Sequence, residues 1–190
     1  MDKKVSSDDL KTLALSWLRF EKQFNLICTE DPFRNADSIG TDSSQQCRKM
    51  IEIETKISIA DLRADMNKKI KHDRMGKLYR KEKITDLWQE DPEHTLFPSQ
   101  FYFLVPDTLK EKALEVVNEL YPHAGLMQAK VGESNDGKYR AGTLSVVKRA
   151  PVLHKLLIGK QIKNYFANRC ASEICNLRLD RMRRKWDDKS

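Results

Sequence analysis

The stretch Met50-Ile51-Glu52-Ile53-Glu54-Thr55-Lys56 alternates polar and apolar residues with a period of two, the pattern of a strand with two unlike faces. Ile51, Ile53 and Thr55 fall on one side. Glu52, Glu54 and Lys56 fall on the other, in a row. Burying two carboxylates and an ammonium on a core strand is costly unless they are paired or put to use. A carboxylate two residues before a lysine suits metal-dependent phosphodiester cleavage. The carboxylate holds a hard cation, and the lysine stands beside the water or phosphate that the cation activates. The bland alternative is a solvated strand face carrying a Glu–Lys pair. Three features weigh against it: the strand is apolar enough to be central, a helix start follows at Ser58, and an isolated acid, Asp37, lies on a neighbouring short strand.

Outward from this strand, residues 7–24 read as a helix with Ser7 as N-cap and Asp8 and Asp9 in its first turn, where the helix dipole favours negative charge. Residues 25–30 and 37–41 are short strands, and 47–56 is the strongest one. A second helix begins at Ser58, with Asp61 three residues on and an apolar stripe of Ile59, Leu62, Met66 and Ile70. Residues 73–99 read as irregular. The apolar run 100–105 fits a central strand, 109–120 a helix, and 124–130 and 143–148 two strands joined by a turn over 132–137. From 156 to 186 the pattern is helical again. Helix, three strands, helix, strand is an α/β layout built on one sheet. The expected division is a core over 1–154 and a basic helical extension over 155–190.

With 190 residues, 39% hydrophobic and 33% charged, the chain is long enough for a real core and too apolar for disorder. No run reaches the roughly 20 apolar residues of a membrane span, and Met1-Asp2-Lys3-Lys4 lacks the apolar core of a signal peptide. The expected location is the cytoplasm, without a membrane partner. Cys28, Cys47, Cys170 and Cys175 form no CxxC pair, which argues against zinc and for reduced thiols. A net charge of +7 points to a polyanion, nucleic acid first.

Asp37 and Asp42 compete for the second metal-binding carboxylate. Asp37 lies on the candidate strand and is preferred, because Asp42 lies in a polar turn where Asp is ordinary. Glu30, at a strand end, is preferred to Glu21 as a third ligand. The expected metal set is therefore Asp37, Glu54 and Glu30, with Mg²⁺ or Mn²⁺, and the expected catalytic set is Asp37, Glu54 and Lys56. Lys68, Lys69, Lys71 and Arg74 belong to a basic segment suited to phosphate contacts. His94, His123 and His154 stand singly and read as structural. The C-terminal helix, with Arg178, Arg181, Arg183, Arg184 and Lys185 near its end, reads as a docking helix, a DNA-backbone contact or a homodimer interface.

The segment from Glu54 through Lys56, Ser58 and Asp61 to Asp65, with Asp37 before it, resembles the PD-(D/E)xK nuclease superfamily, in particular its MmcB-like DNA-repair proteins and related phage-encoded proteins. Phe101–Pro106, Ala124-Gly125-Leu126 and Lys148-Arg149-Ala150-Pro151 also look like that group. The resemblance covers about residues 35–154. One departure is Ala36 in place of the motif's Pro before the acid, a Pro that many members also lack. The resemblance implies a restriction-endonuclease-like core with a mixed central sheet, a divalent metal at Asp37 and Glu54, and Lys56 beside the attacking water. Asp61 and Asp65 match the family's helix motif without an assigned role. The implied activity is metal-dependent hydrolysis of DNA in repair, recombination or phage DNA processing. The competing expectation is a non-catalytic nucleic-acid-binding module that keeps the fold.

Overall fold

The computed structural model describes residues 5–31, 36–82, 94, 95, 97–133 and 140–187. Its elements are α1 (Ser7–Ser16), β1 (Leu26–Asp31), β2 (Ala36–Thr41), β3 (Met50–Thr55), α2 (Ile59–Ala64), α3 (Lys69–Tyr79), β4 (His94–Thr95), β5 (Gln100–Pro106), α4 (Lys110–Leu120), β6 (Gly125–Glu133), β7 (Arg140–Lys148), β8 (Leu157–Ile158) and α5 (Lys160–Asp187). Six strands form one mixed sheet in the order β1-β2-β3-β5-β6-β7, and β4 pairs with β8 separately. β1, β2 and β3 are an antiparallel meander, β3, β5 and β6 run parallel, and β7 returns antiparallel to β6.

The alternation in β3 sets the layers. Ile51 and Ile53 face α1 and pack with Leu10, Ala14, Trp17 and Leu18, together with Tyr102, Leu104 and Met127 of the parallel strands. Phe101 to Val105 are all buried, as a central parallel strand covered on both faces requires. The opposite face carries two separate apolar covers. Leu62 of α2, Met75 of α3 and Ala113, Val116 and Val117 of α4 meet Phe101, Phe103, Val105 and Leu126. Ile162 and Phe166 of α5 meet Cys28, Ile39 and Met50. The polar row of β3 shares that opposite face.

Gly125 opens β6 where there is no room for a side chain. A Cβ there would lie 2.4 Å from the Tyr102 ring and 2.6 Å from the Ala150 backbone nitrogen.

α5 also seals the sheet's β1 edge. The Thr29 N–H donates to Glu173 at 2.9 Å, Arg169 donates to the carbonyls of Thr29 and Glu30, each at 3.1 Å, and the Cys170 thiol donates to the Ile27 carbonyl at 2.6 Å. Covering an edge strand in this way satisfies its unpaired groups. Arg169, Cys170 and Glu173 of α5 are thereby committed to β1. The side chains of residues 176–187, which include the basic tip, lie outside the described residues.

Several boundaries depart from the sequence reading. The first helix is capped by Ser6, not Ser7, in a reciprocal capping box with Asp9. Its α-helical part ends at Ser16, and Trp17–Glu21 continue as a π-helical turn. Cys47 precedes β3 and is not part of it. The second helix starts at Ser58 as expected, with the Ser58 hydroxyl accepting from the Asp61 N–H. It then breaks in a 3₁₀ turn at Asp65–Asn67 and restarts as α3, so residues 69–79 are helical where irregular structure was expected from 73. The break ends the apolar stripe: Leu62 is buried, while Met66 and Ile70 are 40% and 69% exposed. The restarted helix turns Lys68, Lys71 and His72 inward, toward the acidic row.

Candidate active site

Glu52, Glu54 and Lys56 are only 1%, 2% and 5% exposed, so the row is buried and not a solvated strand face. Charges so placed need partners. The Lys71 ammonium lies 2.5 Å from Glu52 and 2.9 Å from Glu54. Lys68 pairs with Glu54 Oε1 and lies 3.1 Å from Asp65 Oδ1. The Lys56 ammonium lies 2.7 Å from Asp65 Oδ1, 3.5 Å from Glu54 Oε1 and 3.8 Å from the exposed Asp61. Three buried carboxylates (Glu52, Glu54 and Asp65) thus face three ammonium groups (Lys56, Lys68 and Lys71), and the cluster is charge-balanced. Burial alone would lower the pKa of Lys56, but Asp65 and Glu54 outweigh it and hold Lys56 above its ordinary value. Burial likewise opposes the charge on Lys71, and Glu52 and Glu54 raise it nonetheless.

Asp65 is one of the two residues, with Asp61, whose role the sequence left unassigned. It is 3% exposed and sits at the helix break. Its Oδ1 meets Lys56, and its Oδ2 lies 2.7 Å from His72 Nε2. Burial would raise its pKa, but His72, Lys56 and Lys68 hold the carboxyl well below the usual carboxylate range. His72 Nδ1 in turn lies 3.1 Å from His123 Nε2. Burial, with His72 beside it, pushes His123 down to about 3. The sequence signal for this group was the spacing of Asp65, Lys68 and His72 across a helix start.

Asp37, Glu54 and Glu30, the expected metal set, do not gather as a three-residue metal-binding group among the described residues. Asp37 Oδ2 accepts from the Thr55 N–H at 2.7 Å and the Thr55 hydroxyl at 2.8 Å, and Asp37 Oδ1 lies 3.8 Å from Lys11 of α1. The Thr55 hydroxyl is also 3.2 Å from that of Ser7, on the α1 side. Glu54 is held instead by Lys68 and by Lys71 of α3. Glu30 joins Asp37, because it too is paired with Lys11. Its φ of 49° is left-handed, an uncommon conformation for a residue with a side chain, at the place in the β1–β2 ladder between the pairs Thr29–Ser38 and Asp31–Ala36. Asp37 serves here as the acceptor at the end of β3, for both the Thr55 N–H and the Thr55 hydroxyl. Of the four basic residues expected on phosphates, Lys68 and Lys71 are committed to the carboxylates, Arg74 is half-buried and Lys69 is exposed.

Among the described residues, no three side chains of His, Cys, Asp or Glu gather as a metal-binding group. Two carboxylates completed by water and substrate suffice for Mg²⁺. Glu54 Oε1 and Asp65 Oδ1 meet that requirement, because both contact the Lys68 ammonium and both contact the Lys56 ammonium. The hard oxygen donors fit a hard cation. Lys68 has its side chain 26% exposed, against 7% for Lys56, and so lies on the solvent side of the two carboxylates. No helix among the described residues is long and apolar enough to cross a membrane. Comparison with protein-family models, with curated proteins and with solved structures finds no match to this chain.

Proposed function

We propose that this chain is a divalent-metal-dependent nuclease on a restriction-endonuclease-like core, hydrolysing phosphodiester bonds in DNA. The observation that carries the reading is the buried pair Glu54 and Lys56, two residues apart at the end of a central strand, with the Asp65 carboxylate against Lys56. Burying such a group without a task costs stability that an apolar strand would keep. The order helix, three antiparallel strands, helix, parallel strand supports the same core. Glu54 and Asp65 are the carboxylates that would hold a cation; Mg²⁺ or Mn²⁺ there would activate water and offset charge on the phosphate. Lys56, fixed by Asp65, holds the attacking water or the developing negative charge.

One observation favours a second reading, a nucleic-acid-binding module without catalysis. Each carboxylate of the row is already matched by an ammonium, so the fold is complete without metal. Incubation with single-stranded, duplex and branched DNA in Mg²⁺, Mn²⁺ or EDTA separates the two. Cleavage with metal and none in EDTA supports the nuclease. Binding without cleavage under every condition supports the module.

A further inference from the structure

The two histidines behind the carboxylate row are placed with more precision than packing needs. His72 and His123 are 5% and 3% exposed, inside the aromatic set Phe101, Phe103 and Tyr121. Phe or Leu would fill that space without the desolvation that a buried imidazole pays. Both ring nitrogens of His72 are engaged. Nε2 meets Asp65 at 2.7 Å and Nδ1 meets His123 at 3.1 Å. A carboxylate accepts, so His72 carries its proton on Nε2 toward Asp65. His72 Nδ1 faces His123 Nε2, so the ring is held at both of its nitrogens.

The other oxygen of Asp65 holds the Lys56 ammonium at 2.7 Å. Asp65 lies at a break between two helices, in a 3₁₀ turn of three residues, where the backbone alone does little to fix a side chain. We propose that His72, backed by His123, is a positioning residue: it fixes the orientation of Asp65 so that Asp65 Oδ1 clamps the Lys56 ammonium in one place. The proposal rests on the nuclease reading only for its effect on rate. The clamp itself is a property of the folded chain.

The control is internal. Lys71 is held by Glu52 and Glu54, whereas Asp65 holds Lys56 and Lys68. The test is ¹⁵N NMR of the lysine side-chain ammonium groups of the full chain, with Lys56 and Lys71 assigned by substitution to Arg. A clamped ammonium exchanges its protons slowly enough to be seen. His72→Phe keeps the ring and removes both hydrogen bonds. The Lys56 signal is expected to vanish while the Lys71 signal stays. His72→Gln, whose amide N–H stands near the place of Nε2–H, is expected to restore the Lys56 signal.

Retention of the Lys56 signal in His72→Phe overturns the proposal, and so does loss of both signals in a folded variant. If His72→Phe does not fold, Asp65→Asn takes its place: loss of the Lys56 signal alone supports the clamp, and its retention overturns it. In single-turnover cleavage, His72→Phe is expected to lower the rate about 10- to 100-fold with unchanged DNA affinity, and His72→Gln to recover most of it. A folded His72→Phe that cleaves at the wild-type rate overturns the positioning role. A wild type that cleaves nothing removes the nuclease reading and leaves the NMR result to decide the clamp.

Discussion

Asp65 Oδ1 and the Lys56 ammonium lie 2.7 Å apart, joining a helix break to the end of the central strand. The contact turns an ordinary-looking Glu-x-Lys triplet into a buried, charge-balanced cluster, and it sets the tests that follow.

Loss of Lys56 or Glu54 is expected to abolish most cleavage, by different routes. Removing one fixed electrostatic group of this kind typically costs on the order of 10²–10³-fold in rate. Lys56→Ala keeps the carboxylates Glu54 and Asp65, so added Mn²⁺ does not restore it. Glu54→Ala removes a metal-binding carboxylate, so high Mn²⁺ recovers part of the rate. Wild-type cleavage by both folded variants in single turnover defeats the assignment.

Metal binding separates Asp65 from Asp37. Asp65→Asn is expected to weaken Mn²⁺ binding, measured by calorimetry, while Asp37→Asn leaves it near wild type. Asp37→Asn acts instead on stability, by about 1–3 kcal/mol, because the Thr55 N–H and hydroxyl lose a charged acceptor. The reverse pattern would return the metal to Asp37.

The basic segment divides in the same way. Lys71→Ala leaves Glu52 and Glu54 without their shared cation, and breaking a buried pair typically costs about 3–5 kcal/mol. Denaturant unfolding measures that loss. Lys69 is exposed. Lys69→Ala is expected to leave stability within about 0.5 kcal/mol and to flatten the salt dependence of DNA binding by about 0.9 in the log–log slope. An unchanged slope moves the phosphate track elsewhere, with the Arg178–Lys185 tip next in line.

Acid is expected to destabilise the fold in two stages. His123, held down to about 3 from an ordinary 6.5, stays neutral in the folded state while the unfolded chain takes up a proton. Stability therefore falls as pH drops below 6.5, by up to about 1.4 kcal/mol per unit from this group. Asp65 is held below its ordinary 3.8, so its contribution is present above that value and is lost as pH falls further. His123→Gln is expected to shallow the first stage and leave the second. Equal slopes for wild type and variant between pH 6.5 and 4 would remove His123 from the account.

The two faces of β3 were legible in the sequence because a strand has only two, and Ile51 and Ile53 had to meet a helix. The run 100–105 announced a central strand by its unbroken apolarity, and Ser58 announced a helix by its cap. Glu54 and Lys56 could be chosen on spacing alone, since residues two apart on a strand share a face. Their companions could not. Asp37 was chosen as an acid on the neighbouring strand, and in the fold its carboxylate accepts from the Thr55 N–H and hydroxyl, a contact no local pattern announces. Lys68 and Lys71 looked like solvent-facing cations until the break at Asp65–Asn67 turned the new helix and swung them inward. The sequence by itself determined the strand, its faces and the Glu54–Lys56 pair, through local periodicity. Only the tertiary structure decided which carboxylate joins them, because burial forces each charge to find its nearest partner across the fold, and that partner, Asp65, comes from a helix break.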